Sequence, residues 1–189
     1  MNLLYVFVLM VLFCSFSSAQ SSHVPAALNS QVEKIRIWAS DEVIVKAVQA
    51  QNKEGLSLER IKQLDREWIR ATEPTAEMKA LIGNECSARL RQLSSSLPAL
   101  IESFVMDAQG ANVCLTQRTS DYWQGDEAKW SDAFNEGKGD VVISQRQYDE
   151  SSKSTLVHVS VPIMENEKAI GVITCGINLG KLAESTSKR

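Results

Sequence analysis

The sequence predicts an α+β domain in which N-terminal helices pack on a five-stranded antiparallel sheet. Three observations support this prediction. Apolar residues recur at helical spacing from residue 26 to 97. From residue 101 onward they recur with a period of two, in short runs separated by polar turns. These runs form a hairpin and a three-strand meander, and the segment between them, 117–140, is predicted to be an insertion that crosses one face of the sheet.

Local signals divide the helical half into separate helices. Ser40 is a candidate N-cap, because two acidic residues that suit the positive end of a helix dipole follow it. Gly55 is expected to end that helix, and Ser57 is expected to cap the next one. A last amphipathic helix is predicted over about 76–95, with a division at Gly83 and its neighbour.

The second half of the chain contains the predicted strands. The turn Asp107-Ala-Gln-Gly110 separates the first two strands, because Asp and Gly suit a tight turn. A short helical turn, 179–183, and a polar tail, 184–189, follow the last strand. The five strands are predicted at about 104–107, 113–116, 141–148, 155–163 and 170–177.

The N-terminal segment has the features of an export signal. Residues 1–19 contain no charged side chain, and the apolar run from Leu3 to Phe16 is shorter than the roughly 20 residues of a membrane span. Ser17 and Ala19 are small residues at the positions of a cleavage site. We therefore predict a signal peptide over 1–19 and a periplasmic or secreted protein. No Lys or Arg precedes the apolar run, so an uncleaved N-terminal anchor is the alternative.

Three cysteines follow the signal segment: Cys86, Cys114 and Cys175. An oxidising compartment permits one disulfide between two of them and leaves one thiol over. Their spacing matches no zinc or redox motif. One disulfide and three buried thiols are both compatible with the sequence.

Composition excludes several classes of function. The net charge of −3 and the pI near 5.5 argue against a protein that binds nucleic acid. Two His residues cannot build a His-rich metal site, and no nucleophile, phosphate-loop or zinc-protease motif is present. Asp126 with His158 is the one acid–base pair that an enzyme could use. We therefore expect no enzyme, no cofactor and no metal.

Several stretches resemble the extracytoplasmic PAS-like sensor domains of the Cache or PDC group. The first strand and turn, the last hairpin, the insertion and two helical segments each match this pattern, and the insertion is the most specific part. These stretches are Phe104-Val-Met-Asp-Ala-Gln-Gly110, Ser160-Val-Pro-Ile163 with Ala169-Ile-Gly-Val-Ile173, Thr119–Trp130, Val48-Gln-Ala-Gln-Asn52 and Ser57-Leu-Glu-Arg60. The chain is similar to stand-alone exported members of the group.

The resemblance implies a long N-terminal helix on one face of a PAS-like sheet and a small-ligand pocket between the other face and the insertion. Members of the group report on metabolites to kinases, cyclases or chemoreceptors, so a membrane receptor or kinase is the expected partner. A homodimer is a further expectation. The predicted organisation is a signal peptide, 1–19, a helical segment, 20–100, a sensor sheet, 101–183, with the pocket insertion, 117–140, and a polar tail, 184–189.

The insertion is also where the residues themselves predict a ligand site. Five of the eight aromatic residues that follow the signal segment fall between 122 and 148, and residues 121–150 hold eight acidic and three basic residues. Acidic groups beside Trp and Tyr suit a cation, so an amine or amino acid is the expected ligand. The predicted ligand-binding residues are Asp121, Tyr122, Trp123, Asp126, Lys129, Trp130, Arg146 and Tyr148.

Other interpretations of these residues remain open. A carboxylate ligand could be held by Arg118, Lys129 or Arg146. Trp130 and Phe134 could instead attach a helix over 126–135 to the sheet, with Asp126 as its cap. The alternative function is a structural or interaction protein without a ligand, which forms a helical dimer through one apolar stripe. That stripe consists of Leu28, Val32 and Ile35.

Overall fold

Helices precede and flank an antiparallel sheet in the computed structural model, which describes residues 26–149 and 154–187. The predicted signal peptide, 1–19, lies outside the described residues. The helices are α1 Ala26–Ala39, α2 Glu42–Glu54, α3 Leu58–Arg70, α4 Ala76–Gly83, α5 Glu85–Ser94, α6 Ala128–Phe134 and α7 Leu179–Ser187. The strands are β1 Leu100–Asp107, β2 Asn112–Leu115, β3 Val142–Ile143, β4 Gln147–Asp149, β5 Ser154–Glu165 and β6 Lys168–Asn178. In these two ranges no helix is long and apolar enough to cross a membrane.

Most helix ends lie where the sequence places them, and one cap is corrected. Gly55 ends α2 in the left-handed conformation, with φ at 64°, and Ser57 caps α3 by accepting a hydrogen bond from the Arg60 N–H. The predicted Ser40 cap is wrong. Asp41 caps α2 instead, because the Ser40 hydroxyl is already donated to the Ile37 carbonyl at the end of α1. The last helix, α7, runs to Ser187 and so continues into the predicted polar tail.

The sheet has the order β2-β1-β6-β5-β3, and β4 also pairs with β5. The expected third strand is therefore two short strands, which makes six strands where five were predicted. Ser144 causes the break, because its hydroxyl accepts the His158 N–H at 2.9 Å in place of a backbone carbonyl. Ile143 lies opposite Val159 and Gln147 opposite Leu156, so one extra residue is accommodated between β3 and β4.

The two faces of the sheet are covered by different helices. Val105, Val159 and Ile173 belong to the core under α1, α2 and α5, whereas Phe104 and Met106 point to the opposite face. A second, smaller core covers that opposite face and contains Trp68 of α3, Met78 of α4 and Ala133 of α6. The expectation of an N-terminal helix on one face is confirmed for α1, but α3 and α4 cross to the other face.

The apolar stripe of the first helix, through which the sequence suggested a helical dimer as an alternative, is already covered within the domain. Leu28, Val32 and Ile35 are all buried in the core beneath the sheet. Their burial leaves them unavailable to a second copy of the chain while the domain is folded.

The chain passes from one face of the sheet to the other at the predicted division between α4 and α5. The Asn84 side chain caps α5 by accepting the Ser87 N–H and donates to the Val113 carbonyl of β2. The Ser87 hydroxyl accepts the Leu115 N–H at 2.9 Å. These side chains satisfy backbone groups of β2, which would otherwise be an open sheet edge.

A disulfide joins Cys86 of α5 to Cys114 of β2. Cys175 is a buried free thiol, and burial, with the charge of Glu102 adding to it, raises the pKa of this thiol well above its usual range. The pairing that the sequence left open is thus Cys86 with Cys114, and it fastens α5 to the edge of the sheet.

Replacing both Cys86 and Cys114 by Ala should lower the free energy of unfolding by about 3 kcal/mol, because the bridge closes a loop across 28 residues of sequence. Denaturant titration of the wild type and the double variant, each with and without a reducing agent, measures this loss. The wild type should weaken in reductant and the double variant should not. A cross-linked peptide that contains Cys175 in a non-reducing digest would contradict the pairing.

A second tie joins α2 to α5. The Asp41 carboxylate accepts hydrogen bonds from the Val43 N–H at 3.1 Å and from Arg89 Nε and Nη2 at 2.9 and 2.7 Å. Burial acts to raise the Asp41 pKa, but the bonds and charge of Arg89 and the N–H groups at the helix start outweigh burial and hold this pKa below its usual value.

The Asp41 tie should be pH-dependent. Because the folded-state pKa is lowered, its stabilisation is complete above the unfolded pKa and is lost as the pH falls through the folded one. Asp41→Asn keeps a cap but loses the ion pair, so it should cost about 1–2 kcal/mol at neutral pH and almost nothing at about pH 2. Urea titrations at the two pH values test this. Glu73→Gln is the control, and an equal cost at both pH values would refute the assignment.

Candidate functional site

A cavity of about 400 Å³ lies between α3, α4 and the start of the insertion, on the sheet face opposite α1. Its wall combines three apolar side chains, two aromatic rings, two carboxylates and two uncharged polar side chains. The lining residues are Leu64, Glu67, Trp68, Thr75, Glu77, Ala80, Leu81, Asn84 and Tyr122. A mostly apolar cavity of this size with a few polar groups is typical of small-molecule sites.

Two aromatic rings form one side of the cavity. Trp68 is 5% exposed, and its ring centroid lies 5.9 Å from that of Tyr122 at a tilt of 39°. The indole N–H of Trp68 donates to the Thr119 carbonyl at 2.9 Å, which fixes the ring. Trp68 is not among the predicted ligand residues, because its place in the α3 apolar stripe identifies it only as a core residue.

The insertion is held against α3 by one carboxylate that the sequence analysis missed. Asp65 Oδ1 accepts the backbone N–H groups of Tyr122 and Trp123, at 2.9 and 3.0 Å. One acid among the several charged residues of an amphipathic helix carries no sequence signal for this task. Asp65 therefore positions Tyr122 at the cavity wall.

Tyr122 is the predicted ligand residue that lines the cavity. Burial raises the pKa of Tyr122 to about 12, and the charges of Asp107 and Glu54 add to this effect. The side chain is therefore a neutral phenol at any physiological pH, with a hydroxyl that can both donate and accept hydrogen bonds.

Trp123 is anchored by residues of this chain. Its indole N–H donates to the Gln109 carbonyl at 2.7 Å, and Lys62 Nζ lies 4.5 Å from the ring centroid. A protein cation thus already lies over one face of the ring. The neighbouring Asp121 uses its backbone carbonyl as an acceptor, and its carboxylate accepts the Ser120 hydroxyl at the surface.

The predicted residues of the next helix lie over the middle of the sheet. The indole N–H of Trp130 donates to the Asp107 backbone carbonyl at 3.1 Å. The Trp130 ring stacks on the Phe134 ring, with a centroid separation of 5.0 Å. Lys129 Nζ lies 5.7 Å from the Phe104 ring centroid. The expected cap by Asp126 is wrong, because α6 begins two residues later and Asp126 is exposed.

Arg146 and Tyr148 do not join this group. Both are exposed, Tyr148 to 61%, and they belong to the segment that pairs with β5 at the edge of the sheet away from β2. Tyr122 lies at the β2 edge, where its carbonyl accepts the Asn112 N–H. The structure therefore divides the predicted ligand residues among the β2 edge, the sheet centre and the opposite edge.

The remaining candidate groups are held by other partners. Arg118 donates to the carbonyls of Trp68 and Ala71 at 2.6 and 3.0 Å, so it closes the end of α3. His158 Nε2 lies 3.2 Å from Glu102 Oε1, so the acid–base pair of His158 with Asp126 is not formed. A second cavity, of about 600 Å³, lies between α2, α4 and α5 and has more polar walls.

The solved structures that are similar to the chain include the following three. The sensory domain of the Campylobacter jejuni chemoreceptor Tlp3 with isoleucine bound is 16% identical, with 82% of this chain and 62% of that chain covered and a TM-score of 0.40. The ligand-binding domain of the Pseudomonas aeruginosa amino acid chemoreceptor PctC in complex with GABA is 12% identical, at 82% and 63% coverage and a TM-score of 0.42. The sensor domain of the V. cholerae histidine kinase DctB is 13% identical, at 84% and 53% coverage and a TM-score of 0.41. The chain thus spans less than two thirds of each.

The family match is independent of these structures. No curated protein matches the chain. The sequence profile described as "Methyl-accepting chemotaxis protein-like, first PDC sensor domain" matches residues 89–184, which is half of the 189 residues and includes the whole sheet. The chain therefore belongs to the family of methyl-accepting chemotaxis protein-like first PDC sensor domains.

Proposed function

We propose that this sensor domain is an exported module that binds a small molecule carrying a protonated amine, in the cavity between α3, α4 and Tyr122. The single observation that carries the proposal is the composition of the cavity wall, in which Trp68 and Tyr122 lie with Glu67 and Glu77. Ring faces attract ammonium groups, and carboxylates supply the opposite charge.

The charges around the cavity favour a cation over a carboxylate. Among the described residues, those that line the cavity include no basic side chain. Arg118 is engaged by backbone carbonyls, and Arg146 lies on the segment at the far edge of the sheet. A carboxylate ligand would therefore meet Glu67 and Glu77 with no basic side chain in the cavity wall itself, the charge of Arg60 acting on Glu77 from outside that wall. An amino acid would bind mainly through its amine and its apolar side chain.

Export and signalling complete the proposal. The apolar segment over 1–19 supports export, and the disulfide between Cys86 and Cys114 suits an oxidising compartment. The family to which the chain belongs consists of sensor domains of chemoreceptor-like proteins. We therefore propose that a membrane receptor or kinase senses whether the ligand is bound. The role is binding rather than catalysis.

Thermal denaturation of the protein with single added compounds tests the ligand class. n-Butylammonium, phenethylammonium and L-leucine represent amines, and butyrate represents carboxylates. An amine present at 100 times its dissociation constant should stabilise the fold by about 2.7 kcal/mol, and butyrate should not. A folded protein that no amine stabilises would contradict the proposal.

Matched variants locate the site within that test. Glu67→Gln and Glu77→Gln each remove a charge from the cavity wall and should weaken amine binding, whereas Glu73→Gln, in the loop between α3 and α4, should not. Asp121→Ala and Trp123→Ala test the ligand residues predicted from sequence. If only this second pair affects binding, the ligand lies at the insertion rather than in the cavity.

Amine binding should also have a simple pH profile. Tyr122 stays neutral well above physiological pH, because burial raises its pKa to about 12. The affinity should therefore stay level from about pH 7 to about pH 9 and fall only when the amine itself loses its proton. Calorimetric titration with n-butylammonium across this range measures the profile, and Tyr122→Phe should leave its shape unchanged. A fall in affinity near pH 8 that Tyr122→Phe removes would show an ionising phenol instead.

A further inference from the structure

A group of buried polar side chains lies directly behind the Tyr122 wall of the cavity. We call it the amide nest, and it consists of Asn112, Thr119 and Gln124 around the backbone carbonyl of Asp121. Asn112 and Gln124 are 0% and 1% exposed. Fully buried amides have to find all their hydrogen-bond partners inside the protein.

Each donor atom of the nest has at least one hydrogen-bond partner. Asn112 Nδ2 donates to the Thr119 hydroxyl at 3.0 Å and to the Asp121 carbonyl at 3.1 Å. Gln124 Nε2 donates to the same carbonyl at 3.0 Å, and the Thr119 hydroxyl donates to it at 2.7 Å. Three donors therefore converge on one oxygen.

The two side-chain amide oxygens of the nest are not paired. Asn112 Oδ1 and Gln124 Oε1 are buried and receive no hydrogen bond from any residue of 26–149 or 154–187. Turning either amide over would not help, because its oxygen would then face the Asp121 carbonyl. A buried acceptor without a donor is costly, so the nest requires donors that this part of the chain does not supply.

The nest and the cavity share their walls. The indole N–H of Trp68 donates to the Thr119 carbonyl. The backbone N–H of Asn112 donates to the Tyr122 carbonyl at 3.0 Å. Each of the two aromatic residues of the cavity is thus bonded directly to a residue of the nest. The nest therefore lies next to the cavity wall, and because the ring centroids are only 5.9 Å apart, a ligand group reaches the nest only by displacing one of the two rings.

We propose that the amide nest is the polar end of the ligand site, where N–H groups of a primary ammonium are donated to Asn112 Oδ1 and Gln124 Oε1. This inference rests on the proposed function and specifies which part of the ligand is recognised. An ammonium has only donors, and both unpaired atoms are acceptors. A carboxylate or phosphate would place its own acceptors against them, and a quaternary ammonium would offer charge without an N–H.

Two probes separate donor recognition from charge recognition. n-Butylammonium carries three N–H donors, whereas n-butyltrimethylammonium carries the same charge and none. Calorimetry on the wild type should give about tenfold or more tighter binding for the primary amine, because a site built for N–H donors rejects analogues without them. Gln124→Met removes one acceptor and should reduce that preference. Gln145→Met, the same change at an exposed position, should leave it intact.

A measurement without substitution keeps the test valid if Gln124→Met fails to fold. The side-chain amide NMR signals of Asn112 and Gln124 should shift on titration with n-butylammonium and stay in place with n-butyltrimethylammonium. Equal affinity for the two probes, with unmoved amide signals, would overturn the nest as a ligand subsite and assign its acceptors to internal water, while amine binding stands. Absence of binding by either probe to the folded wild type would overturn the nest together with the proposed function.

Discussion

The hydrogen bonds of Asp107 are the interactions on which the rest of the fold depends. One of its carboxylate oxygens accepts the N–H groups of Gln109 and Ala111 and so shapes the turn between β1 and β2. The other accepts the Gln51 side chain at 2.8 Å, which attaches α2 to that turn on one side of the sheet. The Asp107 carbonyl receives the Trp130 N–H from α6 on the other side. A single residue at the end of β1 therefore fixes a helix on each face and the hairpin between them.

The candidate site lies at the β2 edge of the sheet. An exposed edge strand invites pairing with other chains, and here Asn84, Ser87 and the bond from Cys86 to Cys114 close it with α5. Because α4 precedes this crossing and α5 follows it, the chain must bend around the edge at Asn84. That bend leaves space between α3, α4 and the sheet, and Asn84 itself lines the resulting cavity. The constraint that protects the edge thus also creates the cavity.

The sequence predicted the elements well because their signals are local. Gly55, Ser57 and the turn at 107–110 each act on neighbouring backbone, and the two apolar periods do not depend on the tertiary fold. Of the predicted ligand residues, Tyr122 alone lines the candidate cavity, because the cavity walls come from segments far apart in sequence. Trp68 and Tyr122 meet only after α3 crosses the sheet, and no local pattern specifies that crossing. Because Arg146 and Tyr148 lie close to the insertion in sequence, they were predicted to belong to the same site. In the structure they lie at the opposite edge of the sheet from Tyr122.

The hydrogen bonds of the aromatic residues are the reason for proposing a ligand beside Tyr122 rather than along the whole insertion. Trp123 and Trp130 both donate their N–H to carbonyls of the 107–110 turn, and the Trp123 ring already lies beneath Lys62. These rings hold the insertion in place, and moving them to receive a ligand would break bonds to the turn that Asp107 organises. Tyr122 instead is held through its backbone by Asp65, which leaves its ring at the cavity wall. The insertion thus combines fixed indoles with one phenol at the cavity wall, which supports the proposal that a cation binds beside Tyr122.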